Sequence, residues 1–369
     1  MSPASRRPTS RDVAAHAGVS RATVSMVLND RVEGTVAEAT RQKVLEAARE
    51  LGYTRSAVAL SLKQQRTRTI GLITDEIATS PWAGRMVRAA SRVAAEHDHM
   101  VITVDLSLRD YSLEDALRML SERQVDGLVY ATMGSARVRL PPLPAWPPMV
   151  LLNCEDATPG RDLPGVVPDD RGGAREAARR LLDAGHERLV MLTGADESVA
   201  VAEREAGFRE ELEAAGLPVR IVPTGWQMSD GMRETRRLLA EDAPPTALFC
   251  IRDRVAAGAI HAAALAGVDV PGGLSVIGFD DEDFFAGDLT PALTTVALPH
   301  AEMGERAMRR LLARMGSADG EAPASSETST SEDTVSSEDD GTDTAGPNRE
   351  LVPCPLVERA SVAEPIAHG

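Results

Sequence analysis

Residues Ala17–Asp30, AGVSRATVSMVLND, set a glycine and three hydroxyl residues between short apolar stretches. Just upstream, Thr9 and Asp12 have the spacing of a capping box, and Val13, Ala14 and Ala17 give one apolar helical face that Gly18 interrupts. Ser20 restarts the pattern as an N-cap with Thr23 at the third helical position, and Val24, Val27 and Leu28 continue the stripe. The reading is two helices joined by one tight turn. Close approach needs a small residue on the first helix (Ala14), a glycine tolerating positive φ in the turn (Gly18), and a compact branched residue on the second (Val24). Burying the stripe turns Arg21, Ala22, Ser25, Met26 and Asn29 outward. A third helix is predicted over 40–51, with Val44, Ala48 and Leu51 buried and Gly52 ending it.

That outward face has a definite chemistry. The hydroxyls of Ser20 and Thr23 and the free N–H groups at the helix start suit phosphates, and an arginine at position 21 reaches guanine O6 and N7 in a major groove. Taken alone, the same stretch is also compatible with an ordinary helical hairpin and a solvated face. Charge distribution favours the first reading: residues 1–68 hold 12 Lys and Arg against 6 Asp and Glu, in a chain of 369 residues whose net charge is −16. The length implies two or more domains, and 43% hydrophobic residues suffice for a full core. Three scattered cysteines, Cys154, Cys250 and Cys354, fit reduced thiols better than a disulfide framework or metal cluster. The N-terminus has no apolar leader and no run approaches a membrane span, so a cytoplasmic protein is expected.

From Thr69 the pattern becomes apolar runs alternating with amphipathic helices. TIGLIT, MVITVD, DGLVYAT and MVLLN form one set, and GVVPDD, RLVMLTG, VRIVPTG, ALFCI and LSVIGFD a second. Such alternation predicts parallel sheets covered by helices on both faces, in two lobes with a cleft between them. Residues 317–348 carry nine acidic residues, no Lys or Arg and many Ser and Thr, which predicts a disordered loop between GERAMRRLLARM and a last strand ELVPCPLV. A tolerated solubilising loop explains it; the alternative is a segment that competes with a polyanion for the basic module.

SRDVAAHAGVSRATVSMVLN followed by TRQKVLEAARELGY resembles the N-terminal signature of the lactose/galactose-repressor (LacI/GalR) family of bacterial transcription regulators. The resemblance covers nearly the whole chain. It implies a small all-α helix-turn-helix domain over 1–53, a hinge over 54–68, and an α/β, periplasmic-binding-protein-like (type I) two-lobed domain over 69–369. It places Arg21, Ala22 and Met26 at base-reading positions, Thr9, Ser20, Thr23, Ser25, Asn29 and Tyr53 near phosphates, and Leu62 as a minor-groove wedge. Position 26 is usually arginine in that family, so Met26 departs from its common guanine contact. Arg55-Ser56 replaces the hinge's usual Pro-Asn, and Leu60 a frequent arginine. The implied partners are a pseudo-palindromic operator DNA, a small-molecule effector and a second copy of the chain in a homodimer.

For the effector, the resemblance sets Arg204 (REAGF) against effector oxygens and Asp253 (RDRVAAGA) at a polar position. Asp280 (GFDDEDF), Asn153 (LLNCED) and Trp226 (TGWQMSDG) complete a set suited to a sugar or polyol, with paired hydrogen bonds to hydroxyls and an aromatic face for C–H surface. Arg252 stands where the family has asparagine; facing inward, a fixed cation favours phosphate or carboxylate. Each residue also has a local reading: Arg204 pairing with Glu203 or Glu205, Asp280 capping a loop, Trp82 in the cleft, core or an interface. His97 and His99 read as exposed histidines rather than metal ligands. Asp280, Asp281 and Glu282 lack any nucleophile elbow, P-loop or dinucleotide motif beside them, so neither turnover nor a cofactor is expected. A solute-binding protein of the same two-lobed fold is the remaining alternative.

Overall fold

The computed structural model describes residues 8–28, 36–54, 61, 66–75, 77, 84–108, 112–142, 146–282, 285–318 and 348–365. Contacts divide the chain into two units, Met1–Thr67 and Arg68–Gly369. Asn29, Leu62, Trp82 and residues 319–347 of the acidic segment lie outside the described residues.

In the first unit, α1 (Ser10–Ala17) begins where the Asp12 carboxylate accepts the Thr9 N–H at 2.7 Å and ends at Gly18, whose φ of +66° is left-handed. The Ser20 hydroxyl accepts the Thr23 N–H at 3.0 Å and starts α2 (Arg21–Leu28). Val13, Ala14, Val24, Val27, Val44, Ala47 and Ala48 form the core. The third helix, α3 (Glu38–Glu50), starts two residues before the expected Thr40. Ala37 already holds the extended conformation of an N-cap, and Glu38 places a negative charge in the first turn, where the helix dipole favours it. Leu51 is half-buried, packing against the core from the C-cap of the helix.

The second unit contains two six-stranded sheets. The first has order β11-β5-β4-β3-β1-β2 and is parallel throughout, from β1 (Thr69–Thr74), β2 (Met100–Asp105), β3 (Gly127–Val138), β4 (Met149–Asp156), β5 (Gly165–Pro168) and β11 (Arg349–Val352). Helices α4 (Gly84–Glu96), α5 (Leu113–Glu122) and α10 (His300–Ala318) pack on it. The second has order β12-β10-β9-β8-β6-β7, from β6 (Leu189–Thr193), β7 (Ile221–Pro223), β8 (Ala247–Cys250), β9 (Ser275–Asp280), β10 (Thr294–Ala297) and β12 (Leu356–Val357). It is parallel except for the β10–β12 pair. Its helices are α6 (Asp170–Asp183), α7 (Val199–Ala214), α8 (Met228–Leu239) and α9 (Asp253–Leu265).

The expected lobes are present, but they are not successive halves of the chain. GVVP belongs to the first sheet, so the crossing falls after Pro168. The expected last strand ELVPCPLV is two strands in different sheets: Pro353 and Pro355 flank the break, and proline cannot donate to a ladder. With the passage from β10 to α10, the chain crosses between lobes three times. Such a hinge of several strands allows the lobes to tilt while each core stays intact. Helix α8, whose sequence opens on the loop-like TGWQMSDG, starts at a capping box between Gln227 and Asp230.

Candidate ligand cleft and nucleic-acid face

Between the lobes, at the carboxyl ends of both sheets, lies a cavity of about 410 Å³. This is where open α/β sheets bind ligands. Met133, Ser135, Asn153 and His300 line it from the first lobe, and Ser198, Arg204, Trp226, Gln227, Arg252 and Asp280 from the second. Five of the six expected effector residues therefore share one cavity. Asp253 does not line it. Its carboxylate is fully buried beneath, accepting the Glu282 N–H at 2.7 Å and the Thr295 hydroxyl, and burial pushes it well above the usual carboxylate range.

Arg204 is 3% exposed and is fixed on three sides. Its Nε donates to Asp170 at 2.8 Å, its Nη1 to the Ile251 carbonyl at 2.6 Å, and its guanidinium lies 3.6 Å from the Phe279 ring centroid. Asp280 is 3.6 Å from Nη1. Burial works against the charge, but Asp170 and Asp280 more than offset it. Arg204 thus pairs across the fold, with Asp170 and Asp280, rather than with Glu203 or Glu205. Asp170 also accepts from the Ser135 hydroxyl at 2.9 Å, so a β3 residue of the first lobe is tied to the α6 start of the second.

Asn153 has φ +61° and Asp280 φ +113°, left-handed conformations uncommon for residues other than glycine. At Asn153 the side-chain amide supplies compensation, donating to the Thr132 and Met133 carbonyls at 3.0 Å each. Non-glycine residues held this way cluster at functional sites. The Trp226 indole N–H is held by Asp196, and a Cβ built on Gly194 would lie 2.8 Å from its ring. The ring is therefore fixed against a glycine, within the cavity wall.

Arg252 does face the cavity, but its charge is compensated: Nη2 donates to Glu282 at 2.9 Å and Nε lies 3.4 Å from Asp280. The expected preference for an anion therefore loses its basis. Burial raises Asp280 to about 6, opposed by Arg204 and Arg252. Burial, then Arg85 and Arg204, lower His300 to about 4, so a neutral imidazole faces the cleft near pH 7. His300, Ser135 and Asp170 were missed in the sequence; the acidic pair after GVVP was the one available signal, a carboxylate at a strand's end.

The raised Asp280 has a pH consequence. A carboxyl that binds its proton more tightly when folded contributes stability fully present below about pH 4 and lost as pH rises through about 6. Asp280→Asn is expected to remove that component while Asp253 retains its own. Urea denaturation between pH 4 and 7 checks this, and equal pH slopes for variant and wild type contradict it.

On the first unit, Arg21, Ala22 and Ser25 are exposed, Thr23 and Met26 partly so, and Thr9 and Ser20 lie exposed at helix starts. Tyr53 is partly buried against the core. Elsewhere, His97 is exposed and His99 half-buried with Asp126 at 4.0 Å. The three cysteines are free and buried, which holds their thiols protonated; Cys154 is pushed up to about 12.

A helix-turn-helix beside a two-lobed unit with a polar cleft is the architecture of a ligand-responsive regulator. Residues 9–56 match the family described as bacterial regulatory proteins, lacI family, and residues 178–336 the periplasmic binding protein-like domain. Catabolite control protein A of Priestia megaterium is 34% identical over 308 residues, covering 81% of this chain and 90% of that protein. The transcriptional repressor CytR of Escherichia coli strain K12 is 33% identical over 316 residues, 83% and 89% respectively. Among solved structures, the Lac repressor dimer bound to operator shares the fold, at TM-score 0.73 and 24% identity over 97% of this chain and all of that one. A transcriptional regulator CelR–cellobiose complex has TM-score 0.59 and 27% identity over 96% of this chain and all of the other. The chain belongs to the lacI family of bacterial regulatory proteins. Its relatives are transcriptional regulators, and the match over 9–56 sets aside the solute-binding alternative.

Proposed function

We propose that the chain is a homodimeric, cytoplasmic repressor whose operator affinity is set by a small uncharged polyhydroxylated effector, a sugar or sugar-like metabolite, held between the lobes. The observation that carries this is the makeup of the cavity between the lobes. A fixed aromatic ring (Trp226) provides C–H contact, and Arg204, Asp280, Asn153 and Arg252 provide paired donors and acceptors. Among the described residues that line the cavity, the two cations, Arg204 and Arg252, are matched by Asp170, Asp280 and Glu282, which disfavours a phosphate. The related CelR structure with cellobiose supports the same class of ligand.

Because both lobes line the cavity, a ligand there binds one lobe arrangement better than the other, and it shifts DNA affinity only through that difference. Two copies present two α2 helices to successive major-groove faces, which requires a pseudo-palindromic operator. Among the described residues no helix is long and apolar enough to cross a membrane. Calorimetric titration with neutral mono- and disaccharides and with their phosphate esters tests the reading. Neutral sugars are expected to bind; binding confined to phosphorylated sugars overturns it.

Leu62 lies outside the described residues and is proposed as a wedge that unstacks a base step. Leu62→Ala is expected to lower operator affinity about tenfold or more and to reduce DNA bending, since unstacking and its repayment by new contacts each involve a few kcal/mol. Unchanged bending in a circular-permutation gel would remove the wedge.

A further inference from the structure

Helix α2, RATVSMVL, contains a single charged residue and no Asn, Gln, Asp or Glu. Its buried positions are Val24 and Val27, so the opposite side carries two rows of side chains one turn apart. Arg21 and Ser25 form a polar row, and Ala22 and Met26 an apolar one. Arg21, Ala22 and Ser25 are exposed and Met26 half-exposed. Leu28 packs against the core of this unit, as do Ala17, Val19 and Tyr53, whereas Met26 is not among the side chains packed there. A flexible thioether on an outward helix face, with no place in the core, has the properties of a contact to a partner.

The base-edge code restricts what such a face can read. Guanine is read by Arg or Lys, adenine by Asn or Gln, cytosine by Asp or Glu, and the thymine C5-methyl by apolar side chains. Of these chemistries α2 offers the first, through Arg21, and the last, through Ala22 and Met26; the exposed Ser25 hydroxyl beside them bonds either donor or acceptor edges and does not discriminate. We propose that Ala22 and Met26 form an apolar strip that reads thymine methyl groups in the operator's major groove, so that each half-site places a thymine against Met26. The proposal rests on the reading of α2 as the helix that enters the groove.

Selection of binding sites from random duplexes with the full-length protein comes first. Each thymine of the selected half-site is then replaced by deoxyuridine, which removes the C5-methyl and nothing else. For the wild type, affinity is expected to fall about three- to tenfold at one or two positions, the effect of withdrawing one methyl from an apolar contact. Met26→Ala, which takes no side chain from the described core of this unit, should abolish the loss at one of those positions. Met26→Arg should change the selected base there from thymine to guanine. If the wild type selects no site, the DNA-reading role of α2 fails and this inference with it. If a discrete site is selected but the deoxyuridine scan is flat, or the losses persist undiminished in Met26→Ala and Ala22→Gly, the methyl-reading strip is wrong and the DNA-reading role stands.

Discussion

Arg204→Ala is expected to abolish the response of operator binding to effector and to destabilise the two-lobed unit by about 3 to 5 kcal/mol, the usual cost of stripping one partner from a buried ion pair. The guanidinium is 3% exposed and is shared by Asp170 and Asp280, so its removal strips Asp170 of this ion-pair partner and leaves Asp280 with Arg252 alone. The Ile251 carbonyl and the Phe279 ring also lose a partner. Effector affinity should fall about tenfold or more, because a hydrogen bond between a charged group and a neutral hydroxyl contributes about 1.5 to 3 kcal/mol. Arg204→Lys separates the two effects: it keeps the charge that balances Asp170 and Asp280 and loses the planar fork. It should recover most of the stability and little of the affinity. Thermal melts and calorimetric titration read both quantities, and an Arg204→Ala protein that melts and binds like the wild type contradicts the placement of this residue at the cleft floor.

Val24→Asp is expected to abolish operator binding and leave effector binding unchanged. Val24 is fully buried in a core that holds seven of the described residues, and a helical unit of this size has little stability in reserve. An unpaired carboxylate placed there costs several kcal/mol, more than such a unit withstands. Because the unit ends at Thr67, effector binding in the interlobe cleft should titrate as in the wild type. Gel shift and calorimetry on one preparation check the pair of outcomes. Loss of both activities would show that the two units are not independent in folding.

Much of this was legible in the sequence because local signals agreed. Thr9 with Asp12, Gly18, and Ser20 with Thr23 each specify a helix boundary, and the valines at 13, 24 and 27 specify which sides meet. In the larger unit, the apolar runs gave the strands and their helices. Lobe membership was not legible, because nothing in GVVP or ELVPCPLV states which sheet will accept it; that is decided by long-range pairing with β4, β11 and β10. The cleft was half legible. Strand-end residues such as Asn153 and Asp280 stood out, but a lone Asp253 could not be told apart from a pocket residue, since only the packing of Gly278 and Thr295 beside it puts it below the floor. Arg252 looked like an unbalanced cation until Glu282, thirty positions away, was placed beside it.

We infer that a neutral sugar in the cleft and operator DNA on α2 are thermodynamically linked. Operator affinity measured by fluorescence anisotropy at fixed salt, across a titration with a neutral sugar shown by calorimetry to bind, tests it most directly. A saturable change in operator affinity of about five- to 150-fold is expected, matched by an equal reciprocal change in sugar affinity when operator is present. An operator affinity that stays constant through saturation of the cleft would contradict it.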